Sequence, residues 1–204
     1  IEDIKIVVNG AGAAANSCTK LYMLLGAKLE NIVMVDSKGV INKQRTDLNA
    51  RKKPFATDRT ITTLPEAVKG SDVFVGLSVA GVLTKEMVQS MNVDPIVFAL
   101  ANPNPEISYD DAIAARKDII FATGRSDHPN QINNVLGFPY IFRGALDVRA
   151  KSINEAMKVA AVRAIAELTK KAVPDVVNAA YNLKRLSFGR DYIIPKPLDR
   201  KSVV

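Results

Sequence analysis

The sequence predicts an α/β protein: a doubly wound, mostly parallel sheet with a C-terminal helical extension. Short apolar runs rich in Val and Ile alternate with helical stretches between residues 4 and 123. A glycine-rich turn, Gly10-Ala11-Gly12-Ala13-Ala14-Ala15, joins the first run to the first helix. The last quarter of the chain carries a long helical pattern and no further strand. Strands that alternate with helices imply parallel neighbours, because each crossover must carry the chain back across the sheet.

The first strand is the run 4–8, followed by a helix over 16–26 and a second strand over 32–35 that ends on Asp36. In the pattern G-x-G-x-x-G/A the first glycine makes a sharp turn, and the second leaves the backbone bare where a pyrophosphate must approach. The helix beyond it aims its free N–H groups and positive dipole end at the phosphates. Gly10, Ala11, Gly12, Ala13 and Ala14 are therefore candidate cofactor residues in a Rossmann-like unit. At the end of the second strand, Asp36 can accept hydrogen bonds from the hydroxyls of an adenosine ribose. Ser37 and Lys38 follow directly and offer a hydroxyl and an ammonium for a 2′-phosphate, which Asp36 alone would repel. The expected cofactor is NAD or NADP, with NAD binding better.

A polar, basic stretch over 42–59 has no strand period and reads as a loop with a short helix. Residues 63–68 form a short helix with a threonine start signal and a proline in the first turn. The strand 72–77 delivers Ser78 and Ala80 to the ligand edge of a parallel sheet, where small residues leave room for a cofactor. A helix over 84–91 precedes the strand 95–100, which runs into Ala101-Asn102-Pro103-Asn104-Pro105-Glu106. Two prolines stiffen that turn and push Asn102 away from helical geometry, so it can hold an amide over a ligand. Ser108 opens a helix over 108–116 in a capping-box variant with Asp111. The strand 118–123 then leads into a dense polar cluster over 124–134. There Arg125, Asp127 and His128 read as a self-bonded turn, while Asn133 and Asn134 can contact an anionic substrate or the nicotinamide. Helices over 138–149 and 152–171 follow, the second with apolar positions Ile153, Met157, Ala160, Ala161, Ala164, Ile165 and Leu168 at helical spacing. Residues 181–204 read as an extended basic strap. The expected domains are 1–150, binding the dinucleotide, and 151–204, packing on it.

Composition removes several other functions. The chain has 204 residues and 48% hydrophobic content, enough for one good core. No run approaches the roughly 18 apolar residues of a membrane span, so a soluble, cytoplasmic protein without membrane partners is expected. One cysteine and one histidine exclude a disulfide framework and an internal zinc site, and Cys18 reads as helix packing. Of the net charge of +7, residues 1–150 contribute 17 Lys and Arg against 16 Asp and Glu, and residues 151–204 contribute 11 against 5. A neutral core with a basic helical tail lacks the basic face and stacking aromatics of a nucleic-acid reader.

Four segments together resemble the cofactor-binding half of malic enzymes, in particular the small prokaryotic kind. They are residues 7–14, 35–39, 98–106 and 122–136, and the two asparagine motifs among them are far more specific than the glycine turn. Ala15 stands where many members have a third glycine, and alanine still permits helix–strand packing. The resemblance implies oxidative decarboxylation of malate to pyruvate and CO2 with NAD or NADP and a divalent metal, Mg2+ or Mn2+. It implies that Asn102 and Asn133 contact substrate and the nicotinamide end, with Asn134 a weaker neighbour. The family's lysine base, tyrosine acid and acidic metal ligands belong to an N-terminal catalytic domain and find no counterpart here, so this chain alone is expected to be inactive. A homodimer is expected. Two other readings are the cofactor domain of a different two-domain dehydrogenase and a non-catalytic nucleotide-sensing module. The first does not account for the asparagine motifs; the second fits the missing acid, base and metal ligands.

Overall fold

The computed structural model describes residues 1–182, 185–197 and 199. The chain forms two compact units, Ile1–Gly124 and Arg125–Val204.

The first unit is built on a six-stranded sheet: β1 (Ile6–Asn9), β2 (Ile32–Asp36), β3 (Gly39–Val40), β4 (Val73–Gly76), β5 (Ile96–Ala99) and β6 (Ile120–Thr123). Their order is β3-β2-β1-β4-β5-β6, and every pair is parallel except β2 with β3. This is the doubly wound, mostly parallel, Rossmann-like sheet predicted from the alternating pattern. The two-residue β3 turns back on β2 through Ser37 and Lys38, in a stretch to which the sequence pattern assigns no element.

Alternation along the strands divides the core into two layers. Val7, Val33, Val35, Phe74 and Val97 face one layer, while Ile6, Val8, Ile32, Met34 and Val75 face the other. Both faces are buried, which explains why the strands read as continuous apolar runs. The helix α1 (Ala13–Leu24) supplies Ala15 to the second layer, together with Leu48 and Phe55 from the basic loop. On the first layer pack α2 (Leu64–Val68), α3 (Lys85–Gln89) and α4 (Tyr109–Ala115), through Ala67, Val68, Val88 and Ala112. Their starts are capped as the sequence indicates: Thr63 accepts from Glu66 in a full capping box, and Ser108 accepts from Asp111.

In the second unit lie α5 (Phe138–Asp147), α6 (Glu155–Lys170) and α7 (Asp175–Ala180). The unit begins at Arg125, whereas the sequence reading placed the boundary at 150. Residues 125–150 belong with it because α5 packs on the turn Asn134–Leu136 and on α6. Within α6, Leu168 is buried, but Ala160 and Ala164 are exposed, so the buried stripe is narrower than the apolar spacing suggested. The helix α7 falls in a stretch that the sequence reading left unassigned. Of the strap over 181–204, residues 183, 184, 198 and 200–204 lie outside the described residues. Its described part is tied down by Asn130, whose Nδ2 donates to the Arg190 carbonyl at 2.6 Å and whose Oδ1 accepts from the Ile193 amide at 2.9 Å. Among the described residues no helix is long and apolar enough to cross a membrane.

Candidate functional site

The strand order reverses between β1 and β4, so the chain leaves β1 beside a crevice at the C-terminal edge of the sheet. The glycine turn occupies that place. Gly10 has φ +125°, and a Cβ there would lie 2.5 Å from the Leu77 carbonyl oxygen, so only glycine fits. Gly12 differs: a Cβ there would meet nothing within 4 Å. The fold itself therefore leaves open space over Gly12, and Gly12, Ala13 and Ala14 are exposed while Ala15 packs on the sheet.

The start of α1 supports the same reading. In this unit α2, α3 and α4 are each capped by a side chain, from Thr63, Thr84 and Ser108. Gly12 caps α1 with no side chain. Among the described residues no N-cap side chain accepts from the first-turn N–H groups of this 12-residue helix, which starts at the crevice. A pyrophosphate is the ligand such donors fit.

Asp36 is held at the end of β2, its side chain only 7% exposed. Arg45 donates to both its oxygens, at 2.7 and 3.1 Å, Lys52 Nζ donates at 2.6 Å, and the Lys38 amide donates at 2.9 Å. Burial would push the Asp36 carboxyl up, but the hydrogen bonds from Arg45, Lys52 and the Lys38 amide outweigh it and hold the pKa at about 2. The Lys38 ammonium turns to Asp47 at 2.8 Å, and Arg45 bridges Asp47 as well. Arg45 and Lys52, rather than Lys38, are thus the cations that meet Asp36. Neither was singled out from the sequence, because a basic loop without periodicity gives no sign of which cation returns to the strand end.

Loops from β4 and β5 border the same edge. Ser78 and Ala80 are exposed, and so is Asn102, which is joined to Pro103 by a cis peptide bond. Two residues that sequence reasoning passed over lie beneath them. Asn9, 6% exposed, donates from Nδ2 to the Ser78 hydroxyl at 2.7 Å. Glu106, fully buried, accepts from the Ser78 and Ala101 amides at 3.1 and 3.0 Å. A polar residue ending an apolar strand and an acid after Asn-Pro-Asn-Pro were the available signals.

In the second unit, Asn133 Oδ1 accepts from the Val135 amide at 3.0 Å and starts a short 3-10 turn, while Asn134 is exposed. Arg125 grips Asp127 with two bonds at 2.9 and 2.6 Å, and His128 lies 3.8 Å from the same carboxylate, as expected of a self-bonded turn. Burial pushes the Cys18 thiol up, which suits packing better than reactivity. Among the described residues no group of three or more His, Cys, Asp or Glu side chains is placed to hold a metal. The residues present therefore do not fit a divalent metal by themselves.

The fold and the uncapped glycine turn define the class: a Rossmann-like dinucleotide-binding unit. The chain belongs to the malic enzyme family, since the model of the malic enzyme NAD-binding domain matches residues 1–187. It is 57% identical over 199 residues to the NADP-dependent malic enzyme of Halomonas elongata, covering 98% of this chain and 47% of that protein. Among solved structures it is similar to the malic enzyme of Entamoeba histolytica, at 36% identity and a TM-score of 0.85, covering all of this chain and 42% of the other. The NAD-dependent malic enzyme of Thermotoga maritima matches at 37% identity and a TM-score of 0.84, with 100% of this chain and 50% of the other covered. The chain spans 26% to 47% of the length of these curated relatives.

Proposed function

We propose that this chain is the NAD(P)-binding part of an enzyme that oxidises and decarboxylates malate to pyruvate and CO2. The observation that carries this reading is the uncapped start of α1 behind Gly10 and Gly12, in a chain of the malic enzyme family. Gly10, Ala11, Gly12, Ala13 and Ala14 take the pyrophosphate through their backbone. Ser78 and Ala80 give it room. Asn102 and, with Asn134 beside it, Asn133 orient the substrate or the nicotinamide by hydrogen bonds and exchange no protons. The bound dinucleotide supplies the hydride acceptor.

The end of β2 favours NADP in this reading. Three cations, Lys38, Arg45 and Lys52, surround two carboxylates, Asp36 and Asp47, so the cluster keeps a positive balance. With Asp36 neutralised, a 2′-phosphate finds Lys52 and Arg45 instead of bare repulsion, and Ser37 can add a hydroxyl. This reading takes NADP as the better ligand, in place of the preference for NAD expected from Asp36 alone. Mg2+ or Mn2+, the lysine base and the tyrosine acid come from an N-terminal catalytic domain outside this chain, and the assembled protein is a cytoplasmic homodimer.

The test is steady-state kinetics. The complete gene product with malate, NADP and Mn2+ should form pyruvate and NADPH in equal amounts, and residues 1–204 alone should form none. A complete product that binds NADPH tightly yet oxidises no malate would instead be a nucleotide-sensing module.

A further inference from the structure

The most unusual side chain of the first unit is Glu106. It is fully buried, and among the described residues no Lys or Arg pairs with it. A carboxyl group withdrawn from water without a cation is costly unless its oxygens are hydrogen-bonded. Here each oxygen has a partner of a particular kind. Oε1 accepts the Ser78 amide at 3.1 Å, and Oε2 accepts the Ala101 amide at 3.0 Å. These are backbone donors at which the chain leaves β4 and β5, beyond the reach of the sheet ladder.

Space for this group is built into the neighbouring strand. A Cβ on Gly76, the last residue of β4, would lie 2.3 Å from the Glu106 carboxyl carbon and 2.5 Å from each oxygen. The backbone on either side is fixed too: the Glu106 carbonyl accepts the Leu83 amide at 3.0 Å, and the Pro105 carbonyl accepts the Gly81 amide at 3.2 Å. From Ser78 the connection continues to β1, since the Ser78 hydroxyl accepts Asn9 Nδ2 at 2.7 Å, and Asn9 immediately precedes Gly10. One buried carboxyl therefore ties together the loop that carries Ser78 and Ala80 and the loop that carries Asn102, and Asn9 ties the first of these to the glycine turn.

We propose that Glu106 is a positioning residue of the malate reaction: by holding the Ser78 and Ala101 amides it sets where the exposed Asn102 amide stands relative to the cofactor loop. The proposal rests on the malic enzyme reading above. Glutamine is the informative replacement. It has the shape of glutamate, but its NH2 group must face one of the two backbone donors, so one of the two ties is lost while the volume is kept.

The experiment is a double-mutant cycle on the complete gene product with Glu106→Gln, Asn102→Ala and the pair, together with amide hydrogen exchange at Ser78 and Ala101. Glu106→Gln should lower kcat/KM for malate about tenfold and leave NADPH affinity within about threefold, because the pyrophosphate contacts are untouched. In the Asn102→Ala background the same change should cost less than about twofold, which a merely destabilising role would not produce. Exchange should speed up about tenfold at one or both amides. Wild-type kcat/KM in Glu106→Gln, or an undiminished loss in the Asn102→Ala background, overturns the proposal. Unchanged exchange at both amides overturns it whether or not the protein oxidises malate, whereas faster exchange in a wild-type-inactive protein places the failure in the malic enzyme reading. Should Glu106→Gln fail to fold, Glu106→Asp, which keeps both acceptors but draws them back by one methylene, takes its place in the same cycle.

Discussion

Arg45 grips Asp36 by both carboxylate oxygens, at 2.7 and 3.1 Å, with the Arg45 side chain only 14% exposed. The acid that would receive the ribose hydroxyls is thereby engaged from within its own unit, and Lys52 completes the hold at 2.6 Å. A 2′-phosphate arriving here exchanges one anionic partner of these cations for another. Lys52→Ala should therefore weaken NADPH binding by roughly ten- to 150-fold, the value of one charge-assisted hydrogen bond, and NADH binding by less than about threefold. Fluorescence titration with both reduced cofactors measures this. Equal losses for the two would mean that Lys52 only supports the fold.

The same contacts make a pH signature. The Asp36 pKa of about 2 lies below the ordinary value of 3.8, so its hydrogen bonds stabilise the folded state fully above about pH 4 and the contribution fades as pH falls through 2. Asp36→Asn should cost on the order of 2 kcal/mol at neutral pH, and the difference from wild type should shrink between pH 4 and pH 2. Denaturant unfolding followed by circular dichroism across that range reads it. A difference that stays constant down to pH 2 would show that the Asp36 carboxylate gains nothing from Arg45 and Lys52.

Asn102 and Asn133 carry the substrate end of the account. Each alanine replacement should leave the fold intact and lower kcat/KM for malate by roughly ten- to 150-fold, because one hydrogen bond to a charged group is lost in the transition state. Neither should move a pKa in the pH–rate profile. Asn102→Asp should be worse than Asn102→Ala, since a carboxylate repels the malate dianion. Near-wild-type kinetics for both alanine variants would reduce the asparagines to turn formers.

What could be read in the sequence was what periodicity and local chemistry encode. Five of the six strands stood out as apolar runs because both sheet faces are covered; the start at Thr63 announced itself by a threonine before a first-turn proline, and that at Ser108 by the acid three residues on. The two-residue β3 and the six-residue α7 are too short to show a period. Arg45 and Lys52 return to Asp36 from an aperiodic loop, and pairing across a loop leaves no pattern. Glu106 was hidden for another reason. A glutamate reads as exposed in any hydropathy count, and its burial is decided by two amides and a glycine that are distant in sequence.

The central claim is that the open backbone over Gly12 receives a dinucleotide, and Gly12→Val tests it most directly. A Cβ at Gly12 meets no protein atom within 4 Å and its φ of −82° suits any residue, so the variant should fold as the wild type does. Calorimetric titration of the folded variant with NADPH should show binding weakened at least about 100-fold, because a branched side chain stands where the pyrophosphate approaches. Wild-type affinity in a folded Gly12→Val protein would contradict the account.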